Sequence, residues 1–404
     1  QDGAVPVRGR ETEERPLNGH GAVLVDLSQA RLTHFREHLF ATEEPELDAL
    51  GNEVWNGSQF GSVFTRDLLY DAYFGLRFSG DQAWLTSAPV DLDASGYAGW
   101  TPGKTGGTGV VTMVQTLGPL QATQYFFAPQ TMPHAGLVMA MRVKNTSAAT
   151  VPAVSAFSLH NFHLGFGRPG AMNDIGEEGE TISFDSSGGK ADFIEKAFAG
   201  VLVARALGAP SHHGSSNAAS GASTNLYQIV QDGGTANFPD LNGQAATADG
   251  SISGYQFDLG DLAPNQEKWI GVAFAHHGDP FAEVAVQGWL DAYVAGADAA
   301  ALVNAEIAVW NGFQSSGLNV PSGLEAGEED LLRQSAAMLR MGQVKEETTF
   351  LREFLTVDGQ PRYTRFGTTL GGPAATLPAT VAHRGAGAVI ASLPPGEWTY
   401  AWIR

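Results

Sequence analysis

From about Gly19 to Ala275 the chain is a succession of short apolar or alternating runs, each closed by a cluster of Gly, Asn, Asp, Ser or Pro. Runs of this length and punctuation read as β-strands. They are Ala22 to Asp26, Gly109 to Gln115, Ala122 to Phe127, Gly136 to Val143, Val151 to Leu159, Gly200 to Ala204, Ile252 to Leu259 and Lys268 to Phe274. No long helical pattern separates them, which favours a β-sandwich over a parallel α/β sheet. Around Lys144-Asn145-Thr146-Ser147 the pattern is strand, polar turn, strand. Two glycine- or serine-rich stretches, Gly208 to Thr224 and Gly233 to Gly250, read as loops or insertions.

Near Gly278 the periodicity changes. From Asp279 to about Gly312 an alanine-rich stretch spaces Val286, Leu290, Tyr293 or Val294, Val303, Ile307 and Trp310 close to helical intervals. Gly288 and Gly296 weaken its first part, so two helices are expected. Ser315 to Gly323 then breaks the pattern. Glu325 to Val344 reads as an amphipathic helix with apolar Leu331, Leu332, Met338 and Leu339, and its acidic first turn suits the helix dipole. The cluster Glu325, Glu328, Glu329 and Asp330 is read as a solvated helix start. A β-sandwich over residues 1–275, a helical linker over 276–322 and the start of a further domain over 323–404 follow from this order.

Length and charge narrow the partners. A chain of 404 residues can bury more than one core. Its net charge of -20 disfavours nucleic acid and anionic membrane, both of which call for basic patches. A neutral polymer suits it. With no cysteine there is no disulfide, thiolate metal site or cysteine nucleophile. No uninterrupted apolar run approaches the roughly 20 residues of a membrane span. The polar start on Gln1, without methionine, is what a removed signal peptide leaves, although an expression boundary leaves the same. Secretion or residence in the periplasm is expected.

The last eighteen residues, GAVIASLPPGEWTYAWIR, run from small and β-branched residues through a Pro-Pro-Gly turn into an aromatic segment. In an extended segment alternate residues share a face, so Trp398, Tyr400, Trp402 and Arg404 would stand together. Aromatic faces stack on sugar C–H surfaces, and a guanidinium offers a rigid fork of donors to neighbouring hydroxyls. The competing reading is a buried aromatic strand with a surface arginine.

This segment resembles the opening of the catalytic domain in glycoside hydrolase family 15, the glucoamylase and glucodextranase group. There a GAxxAS stretch precedes Y-x-W-x-R-D, whose arginine and aspartate hold the sugar in the innermost subsite. Tyr400, Trp402 and Arg404 stand at the Y, W and R, Trp398 at an aromatic position before them, and the aspartate lies beyond the sequence. The order of sandwich, helical linker and long helix is also that of bacterial members of the family. The resemblance implies a mostly β super-β-sandwich, a helical linker and the first part of an (α/α)6 barrel. It also implies an inverting, exo-acting hydrolase of α-glucans. Its general acid and base lie downstream, so no catalytic residue is assigned here. The segment reads as a severed end, with the C-terminal catalytic chain of the same precursor as partner, joined by a nick or a deliberate split. A noncatalytic carbohydrate-binding or scaffolding sandwich, and a related barrel with altered chemistry, stay open.

Other constellations carry less. Asp91-Leu-Asp93-Ala-Ser95-Gly96 copies the first half of a calcium loop, but Pro102 replaces the closing glutamate, which excludes an EF-hand. An Asx-type turn is expected, with a structural calcium of another kind left open. His160 and His163, His212-His213 and His276-His277 lack metal-site spacing. Gly103 to Gly109 contains Gly-Lys-Thr without the preceding glycine of a phosphate loop, since Ala98 stands there, and reads as a hairpin loop. Trp55, Phe60, Phe64, Tyr70, Tyr73 and Phe74 are read as core or interdomain rings ahead of a sugar groove.

Overall fold

Side-chain alternation in the strands fills three layers of apolar packing. The computed structural model describes residues 16, 18–41, 62–98, 107–162, 164, 180–197, 200–217, 219–231, 234–244, 251–277 and 280–343. It also describes short strands at 13–14, 46–47, 53–54, 351–355, 361–365 and 368–369. Backbone alone is described for those short strands, for 36–41 and 62–67, and at 81.

Two antiparallel sheets dominate. The first runs Glu13–Glu14, Gly21–Asp26, Arg31–Ala41, Leu69–Phe78, Val151–Phe162, Ile252–Leu262 and His212–Ser216, with Ser62–Asp67 and Asp81–Trp84 paired off this path. The second runs Gly243–Gln244, Thr181–Asp185, Asp192–Ala197, Gly200–Ala206, Glu267–His277, Gly136–Asn145, Leu120–Phe127, Val111–Leu117 and Gly96–Tyr97. All eight strands expected from the sequence are present.

Period two decides which residue enters which layer. In Gly136–Asn145, Leu137, Met139, Met141 and Val143 join the core between the sheets, together with Phe74, Ala156 and Phe257 of the first sheet. Val138 and Ala140 point the other way, into a second cluster with Val286 and Leu290 of helix α2 (Glu283–Val294) and Leu302, Val303 and Trp310 of helix α3 (Ala299–Gly312). A third cluster lies on the first sheet's outer face, where Tyr73, Trp84, Phe157 and Leu159 meet Leu226, Ile229 and Val230 of a short helix, Leu226–Gln231. Both sheets are therefore covered outside as well as inside. No single described helix is long and apolar enough to cross a membrane.

The glycine- and serine-rich stretch expected as a loop from Gly208 to Thr224 contains the strand His212–Ser216, paired with Ile252–Gln256. Gly214 faces Gly254 across that ladder. A Cβ on Gly254 would stand 2.4 Å from the Ser158 carbonyl oxygen, and one on Gly214 would stand 2.6 Å from Leu226 Cδ2. The glycines here let backbone and helix close on the sheet rather than loosening the chain. The second such stretch carries Gly243–Gln244, which pairs with Thr181–Asp185.

The alanine-rich stretch forms two helices, as its glycines led one to expect. Helix α2 ends at Ala295 in the left-handed region (φ 46°), and Asp298 then caps α3, its Oδ1 accepting from Ala301 N at 2.8 Å. Helix α4 spans Ala326–Met341.

Candidate functional site

Trp398, Tyr400, Trp402 and Arg404, expected to form a sugar-contacting face, lie outside the described residues. The helix leading towards them is described. Glu328 Oε2 accepts from Glu325 N at 3.1 Å at the start of α4, and Arg333 Nε donates to Glu329 Oε1 at 2.9 Å one turn along. Glu325, Glu328 and Glu329 thus act as a helix start. Asp330 departs from the expected solvated cluster: only 9% exposed, it turns inward on the side of α4 that carries Ala337 and Met341.

That inward side docks on the end of α3. Arg340 lies over the rings of Trp310 (5.2 Å) and Phe313 (4.5 Å), close enough for cation–π attraction. Burial there draws the Arg340 guanidinium below its usual range, while Glu306 opposes the shift. Glu306 itself is buried, accepting from Trp310 Nε1 at 2.9 Å and from Gln130 N at 3.2 Å. Gln314 Nε2 donates to Gly107 O at 3.1 Å and Arg333 O at 3.2 Å. The opposite side of α4 leaves Leu331, Met338 and Leu339 at 69%, 53% and 58% exposure. These residues stand at i, i+7 and i+8, one apolar stripe.

A cavity of about 510 Å3 opens where α2 turns into α3, beside Arg205 of the second sheet and the flanking Lys190 and Leu207. Its charges are mutually engaged. Arg205 grips Asp192 through Nε–Oδ1 (2.7 Å) and Nη2–Oδ2 (2.6 Å), and its Nη1 meets Asp291 Oδ1 at 2.5 Å. Lys190 Nζ donates to Asp291 Oδ2 at 2.7 Å, a bond that helps hold the Asp291 carboxyl below its ordinary range. At the other end of α2, Lys196 pairs with Glu283. This constellation fastens a helix to a sheet and leaves neither acid nor base free to act. Sequence reading did not single it out, although Asp192 and Arg205 face one another in antiparallel register, a readable opposite-charge pair.

The histidines resolve as structural groups. His160, wholly buried, lies 3.1 Å from Ser158 Oγ through Nε2 and 3.3 Å from Ser253 Oγ through Nδ1, and burial draws its pKa down to about 3. His212 Nδ1 lies 2.9 Å from Asp240 Oδ2, and the His213 ring stacks on Phe184. His276 is buried, and His163 lies outside the described residues. Among the described residues no three His, Asp or Glu side chains are grouped as a metal would require. Asp91 Oδ1 accepts from Asp93 N (3.1 Å) and Ala94 N (3.2 Å), the expected Asx turn. Tyr73 and Phe74 are core residues, as expected, whereas Tyr70 is 56% exposed. The side chains of Trp55, Phe60 and Phe64 lie outside the description.

No protein-family model and no curated protein matches the chain. Among solved structures it is similar to a bacterial glucoamylase complexed with acarbose, at 10% identity and a TM-score of 0.48, over 85% of this chain and 44% of that one. It is also similar to a human-microbiome protein described as a kojibiose phosphorylase, at 8% identity and a TM-score of 0.47, over 83% of this chain and 40% of that one. A polysaccharide lyase follows at 10% identity and a TM-score of 0.33, over 69% of this chain and 35% of that one. This chain spans less than half the length of each.

Proposed function

We propose that this chain is the N-terminal part of an exo-acting, inverting α-glucoside hydrolase of the glycoside hydrolase family 15 type, an exported enzyme acting on neutral α-glucans. One observation carries the reading. Directly after a two-sheet sandwich with helices on its second sheet, α4 docks by one side and turns the stripe Leu331, Met338 and Leu339 outward. A helix amphipathic on that side calls for further helices against it, as the first helix of an (α/α)6 barrel does. The GAxxAS and W-x-Y-x-W-x-R residues then follow in the expected order.

In this reading the sandwich and linker helices form a rigid base for the barrel. Arg404 supplies donors to the sugar hydroxyls of the innermost subsite, while Trp398, Tyr400 and Trp402 stack on the ring. The reaction needs one carboxylic acid to protonate the leaving oxygen and a second carboxylate to activate water from the opposite face. Both are assigned to the part of the protein that follows Arg404.

The test is to combine this chain with its downstream polypeptide and follow the anomer released from maltooligosaccharides and isomaltooligosaccharides by NMR. Release of β-glucose, lost in Arg404→Ala, supports the proposal. Glycan binding without turnover overturns it in favour of a noncatalytic sandwich.

A further inference from the structure

On the outer face of the second sheet, beyond the helices, an aromatic stack sits beside an unsaturated ion pair. Gly271 marks the place where α3 presses on the sheet, because a Cβ there would stand 2.9 Å from Ala299 Cβ. Trp269, two residues earlier on the same strand and face, lies beyond that contact and is only half-buried. Its indole stacks on the phenol ring of Tyr125 with centroids 5.1 Å apart and planes inclined by 24°. Tyr125 is nearly buried at 9% exposure, and the half-buried indole, which also packs on the cluster beneath the helices, is the more accessible member of the stack.

Arg142 stands directly across the ladder from Trp269, and its Cζ is 5.9 Å from the indole ring. Its Nη2 donates to Thr123 Oγ1 at 3.3 Å, and its Nη1 lies 3.8 Å from Glu267 Oε2, too far for a hydrogen bond. The Arg142 and Glu267 side chains remain 29% and 41% exposed. This contrasts with the Arg205 clamp, where a bidentate grip and a third carboxylate engage the guanidinium. At Arg142 and Glu267, donor and acceptor capacity is held side by side next to a half-buried indole.

We infer that Trp269, Arg142 and Glu267 form a surface subsite for a neutral saccharide chain. The C–H face of a pyranose ring stacks on the indole. Of two neighbouring hydroxyls, one accepts from Arg142 and the other donates to Glu267, filling the 3.8 Å gap that the two side chains do not close themselves. A neutral ligand fits a site where one cation and one anion cancel, on a chain of net charge -20 that repels acidic glycans. Packing accounts for buried Tyr125 and for the covered part of the indole, but gives no reason for the loose ion pair beside its exposed part. The inference does not depend on the hydrolase reading, since it concerns binding on the sandwich alone.

The test titrates the chain with maltoheptaose, isomaltoheptaose and cellohexaose, reading tryptophan fluorescence and calorimetric heat. Saturable binding to at least one probe is expected, weakened at least about tenfold in Trp269→Ala and less in Trp269→Phe. Glu267→Gln and Arg142→Met should each weaken binding with little change in melting temperature. Arg404→Ala should leave this binding intact, which separates the subsite from the proposed catalytic pocket. No saturation with any probe, or Trp269→Ala binding as wild type does, overturns the inference. So does a Trp269→Ala variant that melts earlier while a folded Trp269→Phe, Glu267→Gln or Arg142→Met variant keeps full affinity, because the stack is then packing alone.

Discussion

The phenol oxygen of Tyr255, on the first sheet, crosses the core and donates to the carbonyl oxygen of Ala204, on the second, at 2.6 Å. Phe193 N donates to the same oxygen at 3.1 Å, so one hydroxyl joins the two sheets in both directions. Burial pushes the Tyr255 phenol well above its usual pKa and keeps it neutral. Tyr255→Phe keeps the ring but leaves a buried N–H and a buried carbonyl oxygen short of a partner. It should lower stability by about 1–3 kcal/mol, read as a shift in urea midpoint at unchanged slope. No shift would mean that the surrounding backbone satisfies itself without the hydroxyl.

The Arg205–Asp192 pair predicts a different pattern, because the two side chains are 6% and 0% exposed and bound edge to edge. Removing Asp192 leaves a guanidinium only 6% exposed with Asp291 as its one remaining carboxylate partner among the described residues. Asp192→Ala should cost about 3–5 kcal/mol. The double variant Asp192→Leu/Arg205→Met should recover most of that loss, since similarly sized apolar groups avoid the desolvation that the pair must overcome. A double-mutant cycle read by thermal unfolding measures the coupling. Additive losses would show that Asp291 alone holds the guanidinium.

Acid should act on this fold in two opposing ways. Burial lowers the pKa of His160 to about 3. It also lowers that of His134 to about 4, with His20 and His277 acting in the same direction. For both, the unfolded chain takes up its proton first, near 6.5, so their contribution to stability is full above that pH and declines towards the folded values. Asp71 works oppositely. Burial raises it to about 6 despite Arg31 at 3.1 Å, so the folded chain binds the proton first and gains stability as pH falls from about 6 to about 4. His134 stacks on Trp289 at 3.4 Å, and His134→Phe should keep a ring there while flattening the acid loss. Asp71→Asn should steepen it. Urea midpoints at about pH 7, 5.5 and 4 test both signs.

How far the sequence reveals this arrangement depends on whether the deciding contact is local. Gly136–Asn145 is readable because its alternate apolar residues are sufficient in themselves. Asp192–Ala197 (DFIEKA) is not, since Asp192 and Glu195 resemble surface residues until Arg205 and the opposite sheet bury them. His212–Ser216 hides in glycine and serine because its reason is Gly254, forty residues away across a ladder. The polar group Ser158, His160 and Ser253 inside the core is equally silent, as Ser158 and His160 share one strand and Ser253 reaches His160 from its neighbour. In α4 the periodicity shows a helix but not which side docks: Asp330 turns inward while Leu331 faces out, a choice made by Trp310 and Phe313 of the preceding helical segment. The Trp269 stack follows the same logic. Its strand is legible, yet the cross-strand neighbours Arg142 and Tyr125 come from elsewhere in the chain.

The α4 face gives the prediction on which the proposed assembly turns. Leu331, Met338 and Leu339 are exposed, so replacing all three by serine removes little packing from this chain. Such surface changes stay within about 0.5 kcal/mol each. Met341, by contrast, is 2% exposed in the cluster beneath α3, and Met341→Ala should cost about 2–5 kcal/mol. The triple-serine chain should therefore unfold like the wild type, remain soluble at higher concentration, and fail to hold the downstream helical polypeptide in a pull-down or by size-exclusion chromatography. If it is destabilised as much as Met341→Ala, the stripe belongs to the core of this chain. If it is stable and still binds the downstream polypeptide, the helical domain docks on another face, and α4 loses its place as the first helix of a barrel.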